Sequence, residues 1–188
     1  MENNTQDNLI MQAVKDGDIG ELSYLYRRYH LRLLGFFYKL SGNRELSEDL
    51  VQETFWRILR YRKSYKSGQT FRAWMFQIGR NLFYNQMTRG KTGNLVSMAE
   101  IPFEAASPEA LPNKTAEEKE RTMLLKKALD QLPEDKKEVL ILSRYEKLTY
   151  AEIGDILGCS ESAVKVRAFR AMEQLRVEFK SLNNEEAI

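Results

Sequence analysis

Apolar residues recur at spacings of three and four along most of the chain, and no alternating run rich in Val, Ile and Thr asks for a sheet. The pattern predicts an all-α protein. A first helix is expected from Asp18, which makes a capping-box pattern with Glu21 and leads into the stripe Leu22, Leu25, Tyr26, Tyr29, Leu33 and Phe37. Residues 40–44, with Gly42 and Asn43, predict a turn. A second helix over 47–61 turns Leu50, Val51, Phe55, Ile58 and Leu59 inward. After a loop at 62–69, Thr70 caps a third helix with inner stripe Phe71, Trp74, Met75, Ile78 and Leu82.

Periodicity lapses over 93–114, where Pro102, Pro108 and Pro112 stand among Ser, Ala, Asn and Glu, the composition of a tether. It resumes with a helix over 117–131 carrying Met123, Leu124, Ala128 and Leu132, then one over 134–146 carrying Val139, Leu140, Leu142 and Ser143. Thr149 and Glu152 form another capping box, opening a short helix with Ile153, Ile156 and Leu157 inside. Gly158 stops that helix, and Ser160 caps a longer one built on Val164, Ala168, Ala171 and Leu175. Short helix, glycine turn and longer helix make a helix-turn-helix, with an ordinary helical hairpin as the plainer alternative. The expected organisation is two small helical domains, 9–90 and 119–180, joined by a flexible linker at 91–118, with the helix-turn-helix in the second.

At about 100° per residue, burying Val164, Ala168, Ala171 and Leu175 sends Ser162, Val166, Phe169, Arg170 and Glu173 outward, with Lys165 and Arg167 on the flanks. A basic helix with an outward Phe suits the major groove, where Arg and Lys favour guanine and apolar groups meet the thymine methyl.

Composition narrows the chemistry. The single Cys and single His in 188 residues argue against an internal disulfide, a Cys-rich zinc site and a His-based triad, so neither a metal nor a cofactor is expected. Residues 1–7 lack the basic stretch and apolar core of a secretory signal, and no apolar run approaches the roughly 18 residues of a membrane span. The expected compartment is the cytoplasm.

A net charge of +2 argues at first against nucleic acid, but the charge is sorted. Residues 9–90 carry 14 basic against 7 acidic groups, 91–118 carry 2 against 5, and 119–180 carry 13 against 11. Residues 54–99 hold no acid at all, while Arg57, Arg60, Arg62, Lys63, Lys66, Arg72, Arg80, Arg89 and Lys91 alternate with Trp56, Tyr61, Tyr65, Phe71, Trp74, Phe76, Phe83 and Tyr84. Cations follow phosphates and rings stack on unpaired bases, so the mixture suits single-stranded nucleic acid. A solvated basic face over an aromatic core is the competing reading.

Three stretches carry a family resemblance: residues 48–55 (Glu-Asp-Leu-Val-Gln-Glu-Thr-Phe), residues 71–74 (Phe-Arg-Ala-Trp) followed by 78–81 (Ile-Gly-Arg-Asn), and residues 148–154 (Leu-Thr-Tyr-Ala-Glu-Ile-Gly) followed by 164–168 (Val-Lys-Val-Arg-Ala). In that order and spacing, residues 9–180 resemble a bacterial RNA polymerase sigma factor of the extracytoplasmic-function (ECF) group. The resemblance implies a non-enzymatic subunit that recruits core RNA polymerase through the β′ clamp helices and the β flap and directs initiation at promoter DNA. It implies polymerase docking by Asp49, Gln52, Glu53 and Trp56. Capture of the melted −10 strand falls to Tyr61, Lys63, Lys66, Arg80, Asn81 and Tyr84, and reading of the −35 duplex to Ser162, Lys165, Val166, Arg167, Phe169 and Arg170. Asn85 and Val166 stand where members often carry an acidic and a small polar residue, so promoter sequence does not transfer. The resemblance further implies control by an anti-sigma factor, which would hold the protein at the inner face of the membrane, with no membrane insertion by the chain itself.

Two rivals belong to other classes. A stand-alone helix-turn-helix regulator would need an effector pocket in its first domain and would bind duplex DNA without polymerase. A recombinase or nuclease would need a carboxylate cluster, which the acid-free window disfavours.

Overall fold

A computed structural model of the chain describes residues 2–66, 68–90 and 115–185, all of them in helices and the turns between them. Most of the expected linker, 91–114, lies outside the described residues. The helices are α1 (Glu2–Asp16), α2 (Leu22–Ser41), α3 (Arg44–Arg60), α4 (Phe71–Gly90), α5 (Ala116–Asp130), α6 (Glu134–Leu140), α7 (Tyr150–Leu157) and α8 (Glu161–Glu185). Short 3-10 turns occupy Ile19–Glu21 and Arg62–Ser64, and a π-helical turn, Ile141–Tyr145, extends α6.

The first helix corrects an expectation. Asp18 makes no side-chain cap, α2 begins at Leu22, and α1 lies upstream, where Asn- and Gln-rich sequence hides a narrow inner stripe of Met11 and Val14. The third member of that stripe is an acid: Asp7 is buried and paired with Arg28 and the Tyr29 hydroxyl of α2. Asn43 starts α3 earlier than the apolar pattern indicates, its side chain accepting from the Leu46 N–H at 3.0 Å. Tyr26, expected inside, sits at the rim, stacked on His30 and edge-on to Phe55. Met123 faces outward, 60% exposed, because α5 turns Leu124, Ala128 and Leu129 inward instead.

Helix α4 is buried on more than one stripe. Phe71, Ala73, Trp74, Met75, Phe76, Leu82 and Phe83 are all inside, and Ile78 is half-buried. The reason is two-sided packing: α1, α2 and α3 cover one side of α4, and α7 covers another. Phe76 meets Phe36 edge-on with centroids 5.2 Å apart. Each such fully buried Phe or Leu contributes roughly 1.5–3 kcal/mol, so α4 is a core element of the N-terminal helices and also packs on α7. Thr70 caps it as expected, accepting from the Ala73 N–H at 3.3 Å.

The helix-turn-helix follows from local chemistry. Thr149 and Glu152 complete their capping box, with backbone-to-side-chain bonds of 2.8 and 3.2 Å. Gly158 takes the left-handed conformation at φ 66°, ending α7, and Ser160 accepts from the Ala163 N–H to start α8. Gly154 lets the turn close: a Cβ there would lie 2.7 Å from the Cys159 carbonyl oxygen. Val164, Ala168 and Ala171 are buried, with Leu175 half-buried against the same core.

Glu152 also ties the turn to α4, accepting from the Thr70 hydroxyl and from Arg72, both at 3.2 Å. Burial pushes its carboxyl up, but the Thr149 N–H, Arg72 and the Thr149 hydroxyl outweigh burial and hold it below the ordinary glutamate value.

Two outcomes are expected in denaturant unfolding. Gly154→Ala should lose about 1–3 kcal/mol, because backbone rather than a flexible side chain meets the new methyl. Glu152→Ala should lose about 1–2 kcal/mol at neutral pH through the cap alone. The folded carboxyl is depressed, so its contribution is present above the unfolded value and fades as pH falls through the folded one. The gap between wild type and Glu152→Ala should therefore narrow in acid; a constant gap would contradict the assignment.

Candidate polymerase and nucleic-acid interfaces

On α3, the cap at Asn43 and the inward residues Leu50, Val51, Phe55 and Ile58 set the rotation of the helix. Positions 49, 52, 53 and 56 then share the opposite face. Asp49, Gln52 and Trp56 are exposed, and Glu53 is half-buried and accepts from Arg57 Nε at 2.7 Å. These four side chains line one shallow depression. Trp56 is 51% exposed, and the Arg60 guanidinium lies 5.0 Å from its ring and 5.8 Å from that of Tyr61. One cation thus links this face to the start of the next loop.

That loop presents Tyr61, Lys63 and Lys66 to solvent, and Asn81 is exposed on α4. Arg80 and Tyr84 are placed differently. Arg80 Nε donates to Glu138 Oε1 of α6 at 2.8 Å, and its guanidinium lies 4.7 Å from the Tyr84 ring. Glu138 is buried, and burial pushes its carboxyl above the ordinary value although Arg80 and the Tyr84 hydroxyl oppose the shift. Burial and the neighbouring Glu138 charge push the Tyr84 hydroxyl up in turn. Of the nine rings in the acid-free window, Trp56 and Tyr61 are exposed and Tyr84 is half-buried, while Phe55, Tyr65, Phe71, Trp74, Phe76 and Phe83 belong to the core. The stacking surface is narrower than composition suggests.

Two more carboxylates face the same basic surface. Glu146, buried after the π-helical turn, sits in the field of Arg32, Lys39 and Arg72; burial raises its carboxyl and the three cations lower it, with burial ahead. Burial lowers Lys39, whose ammonium rests 4.7 Å from the Tyr145 ring. With Glu152 on Arg72, three acids of 119–180 meet bases of α2 and α4. Gln77 adds a hydrogen bond to the Asp155 carbonyl, and Arg72 Nε is buried with no hydrogen-bond partner among the described residues. The sequence offered little sign of this: a segment balance of 13 bases against 11 acids does not say that Glu138, Glu146 and Glu152 gather on one side.

On α8, Ser162, Lys165, Val166, Arg167, Phe169 and Arg170 are all exposed, on the side away from Val164, Ala168 and Ala171. Phe169 is 67% and Val166 48% exposed, a strongly apolar tip flanked by three cations. Among the described residues there is no group of three or more His, Cys, Asp or Glu that could hold a metal ion, and no helix long and apolar enough to cross a membrane.

Comparison with known proteins gives these faces a context. The sigma-70 region 2 family model matches residues 25–92, and the sigma-70 region 4 family model matches residues 122–175. The ECF RNA polymerase sigma factor SigE of Mycolicibacterium smegmatis is 34% identical over 156 residues, 81% of this chain; the chain spans 59% of that relative's length. The RNA polymerase sigma factor CarQ of Myxococcus xanthus is 31% identical over 166 residues, covering 88% of this chain and 93% of CarQ. Among solved structures, the sigma factor RpoE of Bartonella quintana, bound to the anti-sigma factor NepR, matches with a TM-score of 0.66 at 29% identity over 85% of this chain and 97% of that one. Neither the stand-alone regulator nor the nucleic-acid enzyme is favoured by any of these matches. With both sigma-70 regions in order and ECF sigma factors 34% identical among its relatives, the chain belongs to the ECF group of RNA polymerase sigma factors.

Proposed function

We propose that this sigma factor docks on core polymerase through Asp49, Gln52, Glu53 and Trp56 and captures the melted −10 strand with Tyr61, Lys63, Lys66, Arg80, Asn81 and Tyr84. The −35 duplex is read by Ser162, Lys165, Val166, Phe169 and Arg170, with Arg167 on phosphate. The working units are 9–90 and 119–180, with 91–118 as the tether between them. The observation that carries the reading is the joint exposure, in a chain with both sigma-70 regions, of an acidic-aromatic face on α3 and a basic-aromatic face on α8. These faces suit partners of different chemistry: a basic protein surface for the first, the edges of base pairs for the second.

The charge arrangement adds a step. Arg80, one of the proposed strand-binding residues, is held by Glu138, a carboxylate that competes with phosphate for its guanidinium, and Arg72 on the same helix is held by Glu152. Strand capture therefore requires α6 and α7 to leave α4, and polymerase, gripping the two units at separate places, supplies the binding energy for that separation. An anti-sigma factor that binds the closed arrangement, as a partner of the kind found on the Bartonella relative, would hold the protein inactive in the cytoplasm.

The test is in vitro transcription from a genomic promoter library with purified core polymerase. Promoter-dependent transcripts should appear only when both components are present; their absence across the library would overturn the reading. On a promoter so identified, Arg170→Ala should cost about 1–3 kcal/mol of −35 discrimination. Lys66→Ala should leave that discrimination intact and reduce the salt slope of binding by about one. Asp49→Lys should lower affinity for core polymerase in a direct binding titration and leave the chain's thermal stability unchanged.

A further inference from the structure

The loop that presents Tyr61, Lys63 and Lys66 has little structure of its own. It holds one 3-10 turn, a Gly68 at φ 94° and a weak Gln69 N–H to Lys66 carbonyl bond of 3.3 Å. Exposed side chains on such a segment point in fixed directions only if the backbone is tied elsewhere. The ties come from α1. The Tyr65 side chain is buried beside Trp74, with ring centroids 5.2 Å apart. Its hydroxyl lies 3.0 Å from Asn8 Oδ1 and 2.8 Å from the Gln69 carbonyl. The same Asn8 Oδ1 accepts from the Phe71 N–H, the first of α4, at 2.8 Å. Lys15, two turns along α1, donates to the Tyr65 carbonyl at 2.6 Å. One amide oxygen therefore fixes both the middle and the exit of the loop.

We propose that Asn8 is a positioning residue for promoter-strand capture, acting through Tyr65 and the α4 N-terminus to hold Tyr61, Lys63 and Lys66 in their strand-reading arrangement. The inference rests on the assignment of that loop to the −10 strand. Asn8 is not what holds α1 to the protein: Met11 and Val14 are fully buried and Asp7 is paired with α2. Removing the Asn8 amide leaves those anchors in place and frees the loop. The cost then falls on the step that needs the loop ordered, and not on docking by α3 or duplex reading by α8.

The experiment uses the full chain assembled with core polymerase and a fluorescent single-stranded oligonucleotide carrying the −10 segment of a promoter it transcribes. Asn8→Ala should weaken strand affinity by about tenfold, with core affinity and −35 duplex affinity unchanged and melting temperature lowered by only a few degrees. Asn8→Asp keeps the acceptor oxygen and should restore strand affinity to within about twofold, since an acid is also favoured at a helix N-terminus. Lys15→Met, which removes the third tie, should weaken the strand in the same selective way. Undiminished strand affinity in Asn8→Ala, a loss matched by equal losses in core affinity and stability, or failure of Asn8→Asp to restore it would each overturn the proposal. Tyr61→Ala and Lys66→Ala separate the two levels. If neither weakens the strand, the loop assignment itself fails; if they do and Asn8→Ala does not, only the positioning role fails.

Discussion

Helix α4 is packed from two sides, by α1, α2 and α3 on one and by α7 on another, and this packing leaves Arg72 and Arg80 only partly exposed. Arg72 and Arg80 are consequently paired with Glu152 and Glu138, and Glu146 sits among Arg32, Lys39 and Arg72. Removing one carboxylate of such a pair leaves its arginine partly desolvated without a partner. Separating the two surfaces into water, or exchanging carboxylates for phosphates, leaves no such orphan. The arrangement is therefore poor at tolerating local damage and well suited to opening as a unit.

That constraint explains what the sequence revealed. The helix-turn-helix was legible because each step has a local cause: the Thr149 box, left-handed Gly158, the Ser160 cap and the stripe of Val164, Ala168 and Ala171 that leaves Phe169 outside. The face of Asp49, Gln52, Glu53 and Trp56 was legible for the same reason, since one-sided burial of α3 leaves a regular pattern. Helix α4 was only half legible. Phe71 and Trp74 were read on its inner stripe, but two-sided burial erases a single apolar stripe, so Phe76 and Phe83 were singled out only among the candidate stacking rings. Helix α1 was missed because its stripe includes the buried Asp7, an acid whose partners Arg28 and Tyr29 lie more than twenty residues away. Met123 and Tyr26 failed in the opposite sense, apolar positions left at a rim.

Charge ties the account together. Acids and bases meet across the fold, with Glu138, Glu146 and Glu152 of 119–180 facing bases of 9–90, while the net balance of the chain is set by the acidic 91–118 segment and the two termini. On the proposed reading the same surface both holds the protein closed and holds a nucleic-acid strand, and the two uses exclude one another. On that reading polymerase and promoter together must displace the intramolecular carboxylates, which makes promoter binding conditional on core.

The most direct measurement is the distance between a probe on α4 and one on α8, introduced by Gln86→Cys and Glu161→Cys at exposed positions in a Cys159→Ser background, read by pulsed electron spin resonance. The account predicts one short, narrow distance distribution in the free chain and a clearly longer one with core polymerase and promoter. The same short distance in the transcribing complex, or a long and broad one in the free chain, would contradict it.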